Sequence, residues 1–185
     1  MKIIFIFIIL TLTSLVFAPV GKLSAQTSRT SSNGMYGLTE LNLGFGLQGD
    51  VQANQIGFTG LSALAGYWLT PKVTAGLGVG FLGYNGSGSV PLFLEGGYYF
   101  DEFGLGKMRF FLKADAGILI GVTGDIPAMR AFGNPCLGLQ LPISRSKEIS
   151  VSLGFYSQMD QITTDNTQSN QLTNFINGKI GLRFY

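Results

Sequence analysis

The predicted fold class is all-β: an eight-stranded antiparallel up-and-down β-barrel preceded by a cleavable signal peptide. Three observations carry this. Apolar residues recur with period two through most of the chain, which is the signature of strands whose successive side chains point to opposite faces. Eight such stretches are separated by turn-forming residues. The faces opposite the apolar ones are rich in Gly and Ser. With 27 Gly and only 12% charged residues among 185, the chain departs from ordinary globular domains, which are about 25% charged. A mean hydropathy of +0.33 excludes the low hydrophobicity that disorder requires.

Residues 1–25 read as the signal peptide, 26–34 as a short polar linker and 35–185 as the barrel domain. Lys2 supplies a basic n-region, "IIFIFIILTLTSLVFAPV" the apolar core, and "KLSAQ" a small-residue cleavage site after Ala25. A retained anchor helix is the alternative; Pro19 and the polar run "AQTSRTSSNG" favour a processed leader. Removing Lys2 and Lys22 from 12 bases leaves 10 against 10 acids, so net charge gives no reason to expect nucleic-acid binding. Cys136 is the single cysteine, which excludes an intramolecular disulfide and a Cys metal cluster.

The strands are expected at about 35–47, 55–69, 73–84, 90–100, 108–121, 131–143, 148–159 and 174–185. In the first, Leu41, Leu43, Phe45 and Leu47 oppose Glu40, Asn42, Gly44 and Gln48. The second, "GFTGLSALAGYWL", accepts either parity, which leaves open whether Tyr67 or Trp68 faces out. The third sets Val73, Ala75, Leu77, Val79 and Phe81 against Gly and Thr74, and the fourth carries Glu95 on its polar face.

The fifth, "MRFFLKADAGILIG", tests strand against helix. Wound at about 100° per residue, Asp115 would fall in the middle of the apolar face beside Met108 and Leu119. Extended, Met108, Phe110, Leu112, Ala114, Ala116, Ile118 and Ile120 form one unbroken face and every charge goes to the other. The sixth strand holds Pro135 and Pro142, which belong near strand ends or a bulge. The seventh sets Ile149, Val151, Leu153 and Phe155 against Ser150, Ser152, Gly154 and Gln158, and the eighth sets Ile180, Leu182 and Phe184 against Lys179, Gly181 and Arg183.

Tight connections near 69–73, 101–107 and 144–147 alternate with polar or longer segments at 48–55, 85–89, 122–129 and 160–174. Such a barrel can turn its apolar face inward around a ligand or outward to lipid. The polar faces are too poor in charge for a soluble surface, and their small residues suit a cramped interior. Aromatics gather near strand ends: Tyr98, Phe100, Phe110, Phe184 and Tyr185 on one side, Phe45, Phe81 and Phe155 on the other. Those positions suit interfacial girdles. The expectation is a transmembrane barrel.

The leader ending "LSAQ", the hairpin "GYWLTPKVTAGLGVGF", the segment "PLFLEGGYYF" and the closing strand "GKIGLRFY" resemble the small OmpA/OmpX-type outer-membrane β-barrel proteins, in the short single-barrel form of Bacteroidota. The resemblance spans essentially the mature chain. It implies the outer membrane of a Gram-negative bacterium, contact with its lipid and lipopolysaccharide, and recognition of the final strand, ending Phe184 and Tyr185, by the outer-membrane assembly machinery. The outward apolar positions are shifted here to Phe184, Leu182 and Ile180.

The chain has no histidine, which removes the base on which barrel hydrolases and acyltransferases generally rest. No catalytic, cofactor or metal site is expected. The one constellation is internal: by parity Glu40, Glu95, Arg109, Lys113, Asp115, Lys179 and Arg183 all point into the barrel. Glu95 is expected level with Lys113 on the adjacent strand, and Glu40 level with Lys179 across the seam. Such charges form either a plug of paired ions or a charge-lined conduit; eight strands favour the plug. The segment 160–174 is expected to be a long loop, the best place for an extracellular ligand. The functional expectation is a structural or surface-interaction role in the envelope, with a narrow solute pore or a non-catalytic accessory of secretion or assembly as alternatives.

Overall fold

A computed structural model describes residues 34–47, 57–84, 86–104, 107–123, 129–164 and 167–185. The signal peptide and all but the last residue of the linker lie outside them. Eight strands, β1 (Met35–Gly46), β2 (Gly57–Trp68), β3 (Val73–Tyr84), β4 (Ser87–Tyr99), β5 (Arg109–Thr123), β6 (Met129–Ser144), β7 (Lys147–Thr164) and β8 (Thr167–Phe184), follow one another around a closed barrel. Every neighbouring pair is antiparallel, and β1 closes on β8 from Gly37↔Phe184 to Gly46↔Phe175.

Side chains separate by parity. Leu61, Leu77, Leu94, Leu112, Leu137, Leu153 and Ile180 stand more than half exposed on the outer face, while Glu40, Glu95, Lys113, Asp115, Lys179 and Arg183 are buried inside. An apolar surface running around the whole barrel far exceeds the few hundred Å² that a soluble monomer leaves exposed. Lipid is its solvent. No helix among the described residues is long and apolar enough to cross a membrane; the strands make the crossing.

Two positions show how tightly the wall is built. Gly86, at φ +82°, turns β3 into β4 in a left-handed conformation that suits glycine. Gly117 lies inward on β5 directly opposite Phe93, and a Cβ there would come within 2.7 Å of the Phe93 Cα.

The structure corrects several expectations. Residues 160–164 and 167–174 continue the barrel wall: β7 and β8 stay paired from Asp160↔Gln171 to Thr164↔Thr167. Period-two reading failed there because a Thr/Gln/Asn-rich ribbon has no apolar face to alternate. Likewise the segment 85–89 contributes Ser87 onward to β4. Trp68 is the inward residue, 4% exposed, and Tyr67 faces out. Pro142 lies at a register shift near the end of β6, as expected. Pro135 instead sits mid-strand in an unshifted register, where β6–β7 pairing merely lapses between Gly133↔Ser157 and Cys136↔Gly154, because proline has no N–H to donate.

Gly117→Ala should lower the unfolding free energy by about 1–3 kcal/mol, the usual cost of overpacking, measured by urea titration of the refolded barrel.

Candidate functional site

The barrel interior is the one place where polar chemistry is concentrated, and it is layered. At its centre, Lys113 of β5 donates to Glu40 Oε1 of β1 at 2.8 Å and to Glu95 Oε2 of β4 at 2.9 Å. Lys179 of β8 donates to Asp115 of β5, and to Glu40 Oε2 at 3.4 Å. Asn134 donates to the same Asp115 oxygen at 3.1 Å, and Asn42 reaches Ser62 at 3.1 Å. Three carboxylates and two ammonium groups therefore join four strands, β1, β4, β5 and β8, through one network, and all five are at least 96% buried.

The pairs form on diagonals. Directly opposite Glu95 stands Asp115, and directly opposite Lys113 stands Gly97; across the seam Glu40 faces Gly181 and Lys179 faces Asn42. Two acids set face to face would repel. A lysine's four-carbon stem lets its ammonium reach a carboxylate one inward position away, so the register need not put opposite charges level. That reach is why the levels inferred from sequence are each off by one inward step.

Toward the end that carries both termini, Arg183 lies over three rings, at 4.3 Å from Tyr36, 4.8 Å from Tyr99 and 5.4 Å from Trp68. It also donates to Tyr99 Oη and to Gln140 Oε1, the latter at 3.3 Å, and sits 3.9 Å from Glu148. Stacking on aromatic faces suits a guanidinium, which is weakly hydrated and planar. Trp68, Tyr99, Phe111 and Tyr36 thus form a floor beneath the charge network.

Above the network, Phe58 contacts Tyr156, Phe175 and Tyr84 with ring centroids 4.9, 5.3 and 5.6 Å away, and Phe132 stacks on Tyr156 at 5.2 Å. This aromatic roof and the central ions enclose a cavity of about 20 Å³, bounded by Phe58, Phe93 and Tyr156 on one side and Asp115, Asn134 and Lys179 on the other. That is room for about one water. Beyond the roof lies a second ion pair: Arg130 to Asp160 at 2.6 Å, with Arg130 also donating to Ser89 at 2.8 Å. Gln158 and Thr173 donate to Asp160 as well, at 3.1 and 2.5 Å.

Of the seven charges expected inside, the structure places Glu40, Glu95, Lys113, Asp115 and Lys179 in one cluster and Arg183 in the floor below. Arg109 also points inward, its guanidinium 6.0 Å from the Trp68 ring of the floor, but it stands apart from the cluster. It lies at the rim, about three-quarters covered, and is paired with Glu102 at 2.8 Å. There Lys72 likewise pairs with Asp101 at 2.8 Å, and that hydrogen bond holds the Lys72 ammonium above its ordinary pKa.

Sequence reading missed Arg130, Asp160 and Glu148. Arg130 fell one residue outside its strand and Asp160 was assigned to a loop; carrying the parity of β6 and β7 onward through even positions would have found both.

Lys113→Met would leave Glu40 short of a partner and Glu95 with none. Removing one member of a buried ion pair costs about 3–5 kcal/mol, so this variant should show a markedly lower urea midpoint than the wild type.

No protein-family profile and no curated protein sequence matches the chain. Among solved structures, it is similar to Neisserial surface protein A (NspA), at 10% identity and TM-score 0.53 over 81% of this chain and 96% of that one. It is also similar to the outer membrane protein OprG from Pseudomonas aeruginosa, at 10% identity and TM-score 0.56 over 83% and 96%. The likeness is one of fold, that of a small closed β-barrel.

Proposed function

We propose that this chain is an outer-membrane barrel of a Gram-negative envelope, of the short OmpA/OmpX type found in Bacteroidota. Its role is structural and interactive, and its interior is a plug. The observation that carries the reading is the stacking inside the wall: an aromatic floor holding Arg183, five paired ions, an aromatic roof, then Arg130 with Asp160. A water-filled conduit needs a continuous hydrated path, whereas here aromatic layers lie above and below the central ions and each of those ions is paired with another. Strands with an apolar outer face and a filled polar interior make a lipid-embedded pillar.

The activity lies at the two ends. Outer-membrane lipid and lipopolysaccharide surround the belt. The aromatic end of β8, Phe184 and Tyr185, is the segment offered to the assembly machinery. The β7–β8 hairpin spanning 160–174 is the element offered to an extracellular ligand. Nothing in this role calls for catalysis, a cofactor or a nucleic acid.

Reconstitution into planar bilayers tests the plug. The wild type should give no discrete conductance steps, and Glu95→Ala should lower the melting temperature without opening any. A stable unitary conductance in the wild type would replace the plug with the narrow-pore reading. Heat-modifiable gel mobility of the fractionated outer membrane checks the barrel itself: unchanged mobility on boiling would remove it.

A further inference from the structure

The stretch "SRSKE", residues 144–148, closes β6 onto β7 at the end bearing both termini. Its three charges divide. Glu148 has inward parity and is engaged by Arg183, by Gln140 Nε2 and by the Tyr185 hydroxyl. Arg145 and Lys147 stay exposed outside. Of the other rim bases, Lys72 and Arg109 each hold a carboxylate and Lys107 stands alone in its turn; among the described residues Arg145 and Lys147 are the two bases without an acidic partner that lie two residues apart in one connection. The acid that could have neutralised them is turned into the barrel.

Lys147 is singular in another way. Among the described residues it is the one charged side chain with outward parity on any strand. It stands at the first position of β7, opposite Phe184, with Nζ 5.9 Å from that ring's centroid. Directly along the wall lie Ile149, Leu182 and Ile143, the last 57% exposed. A cation pair thus caps an apolar strip at the lipid–water boundary. An acyl chain can lie on Ile149 and Leu182 while the phosphate above it meets Lys147 and Arg145, with the lysine stem lying along Phe184.

We propose that Arg145 and Lys147, the latter beside the Phe184 ring, form a binding site for the phosphate of an anionic phospholipid in the leaflet at the end where β1 begins and β8 finishes. The inference rests on the membrane-embedded reading of the barrel and adds to it a lipid preference and a leaflet. Among the described residues the exposed bases Lys72, Lys107, Arg145 and Lys147 all lie at one end of the barrel, and a phosphate-rich surface suits that end.

The test is lipid retention by the folded full-length mature protein. It is refolded into vesicles of phosphatidylcholine alone or mixed with phosphatidylglycerol, and bound lipid is counted by native mass spectrometry after detergent extraction. Phosphatidylglycerol should be retained selectively by the wild type. Each base attracts an anionic surface enough to change binding about 5-fold, so the Arg145→Gln/Lys147→Gln double variant should retain roughly 25-fold less. Lys72→Gln, which removes a rim base already held by Asp101, should retain as much as the wild type. Equal retention by the double variant, or an equal loss in Lys72→Gln, would overturn the site and leave only a diffuse rim charge. Heat-modifiable mobility in the same vesicles separates the two failures: a protein that never inserts defeats the membrane reading itself, whereas one that inserts without lipid preference defeats this inference alone.

Discussion

The structure depends on one constraint: a backbone placed in hydrocarbon must satisfy every N–H and C=O from within, because each one left open costs several kcal/mol. Sheet edges are therefore intolerable, and the ladder between β1 and β8 removes them. Once the sheet is closed, parity becomes an absolute coordinate. One face of every strand belongs to lipid and the other to a narrow interior, and a slip of one residue would exchange them. The lapse in pairing at Pro135 is bearable because the β5–β6 ladder on its other side continues through Ala114↔Pro135.

Closure also creates the electrostatic problem that the interior solves. Ions removed from water must find partners, and the cylinder offers only what its own wall carries. Lys113 and Lys179 act as the two cross-braces, each spanning between strands that are not hydrogen-bonded neighbours: β5 to β1 in one case, β8 to β5 in the other. The network thus holds the barrel across its diameter, where backbone ladders cannot. The aromatic floor and roof keep water from competing for those ions, which makes each pair stronger than it would be if hydrated. Arg183 belongs to both systems, with its charge balanced near Glu148 and its plane packed on rings.

How much of this was legible follows from where the side chains alternate. β5 was readable outright, because its charges and its apolar residues fall on opposite parities with no exception. β2 was not: Gly, Ala, Ser and Thr give neither face a clear character, and only packing of Trp68 against Tyr99 at 4.9 Å decides which aromatic turns inward. The extension of β7 and β8 was invisible for a related reason. Its ladder is held by backbone bonds between polar residues, and the buried group at its base, Asp160, is recognisable as internal only once Arg130 is seen beside it. Arg109 shows the limit of parity from the other side: its inward direction was legible, but parity carries no height, and at the rim it lies over Trp68 and reaches Glu102 in the adjoining turn rather than the central ions.

By itself the sequence determined the element type, the strand number, the face each clear strand gives to lipid and the identity of most interior charges, because period two is a local property of consecutive residues. Tertiary structure alone decided the pairing. Which lysine meets which carboxylate depends on strand stagger around the closed wall, on the reach of side chains across the diameter and on height along the axis. None of these is encoded by alternation within a single strand.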